Sequence, residues 1–429
     1  MKQKLKEYKG ITLVALIITI IVLLILAVVA ISAVSGNGIL NHAQNAKSSY
    51  LEAQTNEQAR LDEYSEYLDT ESSKINGGGV DGTTVKGSLN AVISTTDNTP
   101  LTDDFGNKIK VPAGFKILVD DTTGYTADDI DVTKGIVVED TQTETAGNQF
   151  VWIPVGKIYT DKDKTEEKAK TITLGRYSSS NFTKNEDGTY TVAQNASDYE
   201  KQVKINSHYT EETAASHISN YKNSIAKNIG DFCTKANSHG GYYIGRYEAR
   251  VENYDTSNIN KENSNGLEDW TGYVAESGKK LKLVSKANSQ VWNRVTQKKA
   301  SSLCQSMYTN KPYESDLINS YAWDTAIVFF QEFGDNSTYA SKKRVNTSLA
   351  NTGTSGTSYT GTTKDVICNV YDMAGNCMEW STETYRVPNN SCTGRGGHYG
   401  DSLYCTSNRY SSDATNALNF HSFRPLLYM

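Results

Sequence analysis

The longest apolar stretch of the chain is the uncharged run from Ile11 to Val34, built mainly of Ile, Leu, Val and Ala. Coiled as a helix at about 1.5 Å per residue it reaches roughly 36 Å, more than the ~30 Å hydrocarbon core of a bilayer. Only Thr12, Thr19 and Ser32 interrupt its apolar character. Lys2, Lys4, Lys6 and Lys9 precede the run, and the next lysine is Lys47. The positive-inside rule therefore predicts a single-pass membrane protein with residues 1–10 in the cytoplasm, a spanning helix at 11–34 and the remainder outside the cell. The run is longer than the apolar core of a cleaved secretory signal, which favours an anchor.

Polarity rises sharply after the run. Ser35-Gly36-Asn37-Gly38 breaks the helix. Residues 35–70 then predict a helical stalk, with Leu51, Ala59, Leu61 and Tyr64 spaced among Glu, Gln and Lys and no Gly or Pro after Gly38. Residues 71–100, with Gly77-Gly78-Gly79 and many Ser and Thr, predict a linker. From residue 101 to 429 the pattern changes to short apolar runs separated by turn residues. Strands are expected at Phe115–Val119, Gly135–Val138, Phe150–Val155 and Tyr242–Tyr247. Two helices are expected. One is capped by Thr296 and places Ala300, Leu303, Cys304 and Met307 on one face; the other spans Tyr321–Phe333 with Trp323, Ile327 and Phe330 together. Few helices among many strands predict an α+β ectodomain.

Composition narrows the function classes. The net charge is -6, from 43 basic and 49 acidic residues, and no basic stripe exists, so nucleic-acid binding is not expected. There is no CxxC pair, HExxH, GxxxxGK[ST] or GxSxG. Cys233, Cys304, Cys368, Cys377, Cys392 and Cys405 are an even set, which permits disulfides outside the cell; proximity suggests the pairs Cys368/Cys377 and Cys392/Cys405.

The ordered segments of the ectodomain carry a resemblance. They are Val151-Trp152-Ile153-Pro154-Val155-Gly156, Gly240 to Glu248, the helix at Ala300 to Cys304, and the Trp323 segment. They continue with Asn369 to Trp380, Arg395-Gly396-Gly397, Asn408-Arg409-Tyr410 and Phe423-Arg424. Together these resemble the formylglycine-generating-enzyme (sulfatase-modifying factor) family, whose members have a C-type-lectin-like fold. The resemblance implies such a fold for residues 101–429. The family's activity depends on two copper-binding cysteines, which suit a soft Cu(I) ion. Asp401 and Ser407 correspond to them here, and Cys405 lies out of register, so no copper and no catalysis are expected. The resemblance also implies a structural Ca²⁺ held by the side chains of Asp372 and Glu379 and the carbonyls of Gly375 and Cys377. The alternative for the same residues is a loop clasp, with Asp372 capping the turn and Glu379 paired with Arg424. Lys9-Gly10-Ile11 further resembles the leader of type IV prepilins, which implies cleavage after Gly10 and methylation of Ile11. Ala15 stands where those proteins carry Glu, which argues against assembly into a pilus.

The segment from His398 to Ser422 is dominated by Asn, Asp, Ser, Thr, Tyr and His. Aromatic anchors with adaptable polar neighbours are the chemistry of recognition surfaces. Tyr399, Tyr404, Asn408, Tyr410, Asn416, Asn419 and His421 are the candidate ligand-binding residues. The composition also resembles the variable targets of diversity-generating retroelements. The expectation is a membrane-anchored cell-surface binding or adhesion protein for an extracellular protein or glycan. The alternatives are a minor pilin or pseudopilin adhesin, and a catalytically active formylglycine-generating relative.

Overall fold

The computed structural model describes residues 20–22, 89–127, 130–177, 183–184, 190–191, 209–213, 223–259, 268–288, 290–342, 359–361, 365–386, 392–400 and 404–429. Contacts divide the chain into one unit at Met1–Gly79 and a second at Val80–Met429. Of the expected spanning run only residues 20–22 are described, and they are helical. Among the described residues no helix is long and apolar enough to cross a membrane. Gly10, Ile11, the stalk and most of the linker lie outside the described residues.

The second unit is a mixture of helix and strand in which strands predominate. Its main sheet has six antiparallel strands: β1 (Phe115–Ile117), β2 (Val137–Asp140), β3 (Gln149–Pro154), β4 (Gly241–Gly245), β5 (Glu314–Leu317) and, much later in the chain, Pro425–Tyr428. The spatial order runs from β5 through 425–428 to β4, β3, β2 and β1. Leu89 and Val92 bridge to β1 at Ile117 and Lys116, so the N-terminal side of the described unit joins this sheet.

The second sheet is smaller. It consists of β6 (Met378–Trp380), β7 (Cys392–Arg395), β8 (Arg409–Ser412) and β9 (His421–Phe423), in the order β8, β7, β6, β9, with only the β6–β9 pair parallel. The chain leaves β9 through Arg424 and enters the main sheet at once as β10 (Pro425–Tyr428). One residue therefore links the two sheets.

Among the described residues three α-helices pack around these sheets: α1 (Ile229–Ser238), α2 (Gln297–Gln305) and α3 (Ser320–Phe333). Both helices expected from periodicity form, with starts within a residue or so of the reading. Thr296 caps α2 by accepting from the Lys299 amide, and Met307 falls just beyond the helix end. Asn319 caps α3, its side chain accepting from the Ala322 amide at 2.8 Å. Helix α3 is apolar nearly all round, and it is buried along almost its full length. Tyr242 of β4 donates to the Ala322 carbonyl at 2.6 Å, and Phe232 of α1 meets the rings of Tyr242 and Tyr428 edge-on. Trp152, Tyr243 and Phe150 complete this core. A separate cluster around Trp292, Trp380 and Phe423 sits with the second sheet.

The strand expected at Gly135–Val138 begins later, at Val137. Gly135 has φ +77 and closes a 3₁₀ turn at Val132–Lys134, and a Cβ there would meet the Cys368 carbonyl oxygen at 2.0 Å. The glycine is thus a turn residue rather than a strand residue. The suggested cysteine pairs also require correction, because no disulfide joins any of the six cysteines. The Cys392 thiol donates to the Ser412 carbonyl across the second sheet at 3.2 Å, while Cys405 lies against the Ser407 hydroxyl at 3.5 Å. Cys368 contacts the Thr133 carbonyl and Cys377 the Asn419 carbonyl.

Asn319→Ala removes a buried cap from the most buried helix. It should lower unfolding stability by about 1–2 kcal/mol, read as a shifted denaturant midpoint with an unchanged slope. A midpoint equal to that of the unmodified chain would show that the cap contributes nothing.

Candidate functional site

The expected binding residues separate into two groups. Tyr399, Tyr404 and Tyr410 are half-buried and belong to one aromatic group. His398 organises it: its ring stacks on Phe420 at 4.4 Å and 20°, and lies 5.9 Å from Tyr404 and 6.2 Å from Tyr399. Tyr404 in turn meets Tyr410 of β8 edge-on at 5.5 Å. These are the separations at which aromatic rings attract one another. The backbone beneath is held by Arg395-Gly396-Gly397. Gly396 has φ +77, and a Cβ there would come within 2.6 Å of the Met373 carbonyl oxygen. This explains why a glycine follows Arg395, and it packs the Asp372–Glu379 loop against the base of the aromatic face.

The other candidates are placed differently. Asn416 is half-buried and donates to the Ser412 hydroxyl at 2.9 Å. Asn419 presents its carbonyl inward, to the Asn293 side chain and the Cys377 thiol. Asn408 and His421 are buried. His421 has no exposure, and its ring lies 4.1 Å from Trp380 and 4.8 Å from Phe420. Among the described residues neither of its ring nitrogens has a hydrogen-bond partner. Burial, with a smaller contribution from His398, lowers its pKa to about 3, so the ring is neutral. Phe420, which the sequence reading did not single out, belongs to the face instead. Its position beside polar Asn419 and His421 gave little signal.

Below this face lies a buried charge network. Asp324, a buried acid of α3, pairs with both Arg395 and Arg409. Glu383 accepts from Arg409 Nε at 2.9 and 3.0 Å and from Arg176. Arg176 also reaches the Ser320 hydroxyl at 2.7 Å and the Tyr209 carbonyl at 3.0 Å. Burial works to raise the Glu383 carboxyl, but Arg409, Arg176 and Arg395 outweigh it and hold the group down at about 2. Arg395 and Arg409 are in register across β7 and β8, so the sheet itself sets the two guanidinium groups side by side.

The loop from Asp372 to Glu379 is the candidate metal site. Asp372 is fully buried at φ +69, and one of its carboxylate oxygens accepts from the Gly361 amide at 3.3 Å. Glu379 is gripped by Arg424, Nε at 3.0 Å and NH2 at 2.5 Å. Arg424 also donates to the carbonyls of Gly245 and Tyr371, both at 2.8 Å. Glu248 approaches from the other side and accepts from the Cys377 amide at 3.0 Å and from the Asn376 side chain. Burial raises the Glu248 pKa well above the usual range, and Asp372 and Glu379 raise it further. Three buried carboxylates thus face the single guanidinium of Arg424. A divalent cation of the Ca²⁺ type would have to share the Glu379 oxygens, both of which Arg424 already engages. Among the described residues no three His, Cys, Asp or Glu side chains converge on one point, so backbone carbonyls would have to complete the shell. Ser407 is buried and Asp401 lies outside the described residues.

No family model matches the chain, and no curated protein does. Among solved structures, PvdO from Pseudomonas aeruginosa is similar over 44% of this chain and 82% of its own, at 13% identity and a TM-score of 0.29. CarF is similar over 44% of this chain and 86% of its own, at 17% identity and a TM-score of 0.29. Likeness at this level carries no argument about fold or function.

His421→Phe replaces a ring with two stranded nitrogens by an apolar ring of similar shape. It should raise stability at neutral pH by about 1 kcal/mol. In the unmodified chain the neutral His421 stabilises the fold fully above pH ~6.5, and that contribution is lost as the pH falls toward 3. The melting-temperature advantage of the variant should therefore widen between pH 7 and pH 4. A constant or shrinking difference would contradict the buried neutral ring.

Proposed function

We propose that this chain is a membrane-anchored cell-surface protein that binds an extracellular protein or glycan. It does so through a C-type-lectin-like domain built on the formylglycine-generating-enzyme pattern, without that family's catalysis. The observation that carries the reading is the aromatic group of His398, Tyr399, Tyr404, Tyr410 and Phe420, assembled at the surface side of the second sheet. Its rings hold one another in place, so binding orders few side chains and forfeits little conformational entropy. The buried Arg395–Asp324–Arg409 network fixes the strands that present it. The uncharged run 11–34 behind four lysines supports the anchor and the outward orientation. Supporting a non-catalytic role, Asp401 and Ser407 stand where the resemblance places copper-binding thiols, and the nearby Cys405 is buried against Ser407. Variation at the Tyr and Asn positions of this face, generated by a retroelement, is part of the same proposal.

A structural Ca²⁺ in the Asp372–Glu379 loop belongs to this reading. It would neutralise the surplus carboxylate charge facing Arg424 and stiffen the loop under the aromatic face, with Asp372, Glu379 and the Gly375 and Cys377 carbonyls as ligands.

Two outcomes test these points. Tyr404→Ala and Tyr410→Ala should each weaken capture on an extracellular glycan and protein array by tenfold or more while leaving the melting temperature within about 3 °C, since each truncated anchor is worth about 2 kcal/mol. Equal binding by both variants would remove the aromatic face from the reading. For the cation, EDTA should lower the melting temperature by several degrees and added Ca²⁺ should restore it, as mass action requires of a ligand bound only by the folded state. An unchanged curve would leave Glu379 as the clasp of Arg424 alone.

A further inference from the structure

Residues 209–213 form a short strap across the buried charge network. Tyr209 and Thr210 pair with Tyr385 and Thr384, with the two tyrosine rings 4.6 Å apart. The Tyr209 hydroxyl donates to the Arg409 carbonyl at 3.2 Å, and its own carbonyl accepts from Arg176. Glu212 is gripped by Arg386. Glu211 reaches inward. One carboxylate oxygen accepts from the Ser320 amide at the first turn of α3, at 2.5 Å, and the other from the Thr382 hydroxyl at 2.9 Å. Apart from the tilted Tyr209–Tyr385 ring pair, these attachments are polar or ionic, so charge and hydrogen bonding hold the strap in place.

The surroundings of Glu211 are mixed in sign. Arg176 faces it from the 170–177 segment and attracts it, with Arg409 of β8 behind. Glu383 faces it from the 381–386 segment and repels it. Tyr321 of α3 and Cys233 of α1 are the remaining titratable neighbours. Arg176 is already engaged by Glu383, so Glu211 shares a cation that another carboxylate holds closely. A carboxylate taken out of water under these terms docks more readily as the neutral acid.

We propose that residues 209–213 are a pH-gated strap, clasped to the domain through the Glu211 carboxyl, which docks firmly in mildly acidic medium and loosens in alkaline medium. Loosening frees the Arg409 carbonyl, next to Tyr410 on the aromatic face, and exposes one side of the Arg176–Glu383 pair. Loss of water around the carboxylate raises the Glu211 pKa to about 7, Arg176 opposes the rise and Glu383 adds to it. With the docked pKa above that of a solvated Glu, stability of the docked strap falls as the pH rises through 7.

Hydrogen exchange on the full chain tests this. After correction for intrinsic exchange rates, protection of the amides of 209–213 should fall about tenfold from pH 6 to pH 8, from the linkage of a pKa near 7 to one near 4.5. Protection of β4 serves as the internal reference and should stay constant. Glu211→Gln keeps the acceptor to the Ser320 amide and should abolish the pH dependence. Glu211→Asp, one methylene too short to reach both donors, should reduce protection at both pH values and so remains informative should the Gln chain fold poorly. Equal strap protection at pH 6 and pH 8, a loss that β4 shares, or a Gln variant that keeps the pH dependence would each overturn the proposal.

Discussion

The arrangement depends on three arginines that cannot be left without partners. Arg395 is fully buried, Arg409 nearly so, and Arg176 is shared between a carboxylate and the strap. A buried guanidinium is tolerated only when carboxylates and carbonyls surround it, and removing one partner costs about 3–5 kcal/mol. Asp324 on α3 and Glu383 after β6 supply that surround. The network consequently fixes the distance between the longest helix and the second sheet, and with it the height of the aromatic face. The interior stays polar at this point because Asp324 and Glu383 are shared among the three guanidinium groups.

Much of the local structure was legible in the sequence because it rests on local rules. The cap at Thr296, the helix from about Tyr321, the strand at Phe150 and the strand at Tyr242 follow from spacing and side-chain type within a few residues. The pair Glu379–Arg424 was also legible, as the clasp alternative for the Asp372–Glu379 loop, and the structure contains it. What escaped the reading was the charge network, because its members lie far apart in the chain. Arg176 and Glu383 meet across more than two hundred residues. One signal was present: Asp324 is an acid set among apolar residues in the first half of Ser320–Phe333, far from Glu332 near its end, and a charge so placed must find a partner. Tyr399, Tyr404 and Tyr410 were named from the sequence, and the structure brings their rings into one group. Its arrangement around His398 and Phe420 depends on the parallel pairing of β6 with β9, which no local pattern announces.

His421 illustrates how composition misleads at a single position. In a segment rich in Tyr, Asn and His it reads as a contact residue. The alternation of β9 turns it instead toward Trp380, where it is fully buried and its nitrogens find no partner among the described residues. Both sides of β9 are buried, Ser422 included, so the strand's place in the sheet, not the composition of its segment, decides the outcome.

The passage from β9 through Arg424 into β10 has a consequence for how the chain reaches its final form. Strand β10 lies between β5 and β4 in the main sheet, although all five other strands of that sheet precede it in the chain. As the polypeptide emerges in order, β1 to β4 can zip together one after another, whereas β5 has nowhere to attach until residues 425–428 arrive. Until that moment the growing sheet presents the open side of β4 and an unclaimed strand, the kind of unpaired border that draws in other chains. Completion is thereby deferred until residues 425–428 have been made, and Arg424 closing on Glu379 acts as the latch that ends the exposed interval.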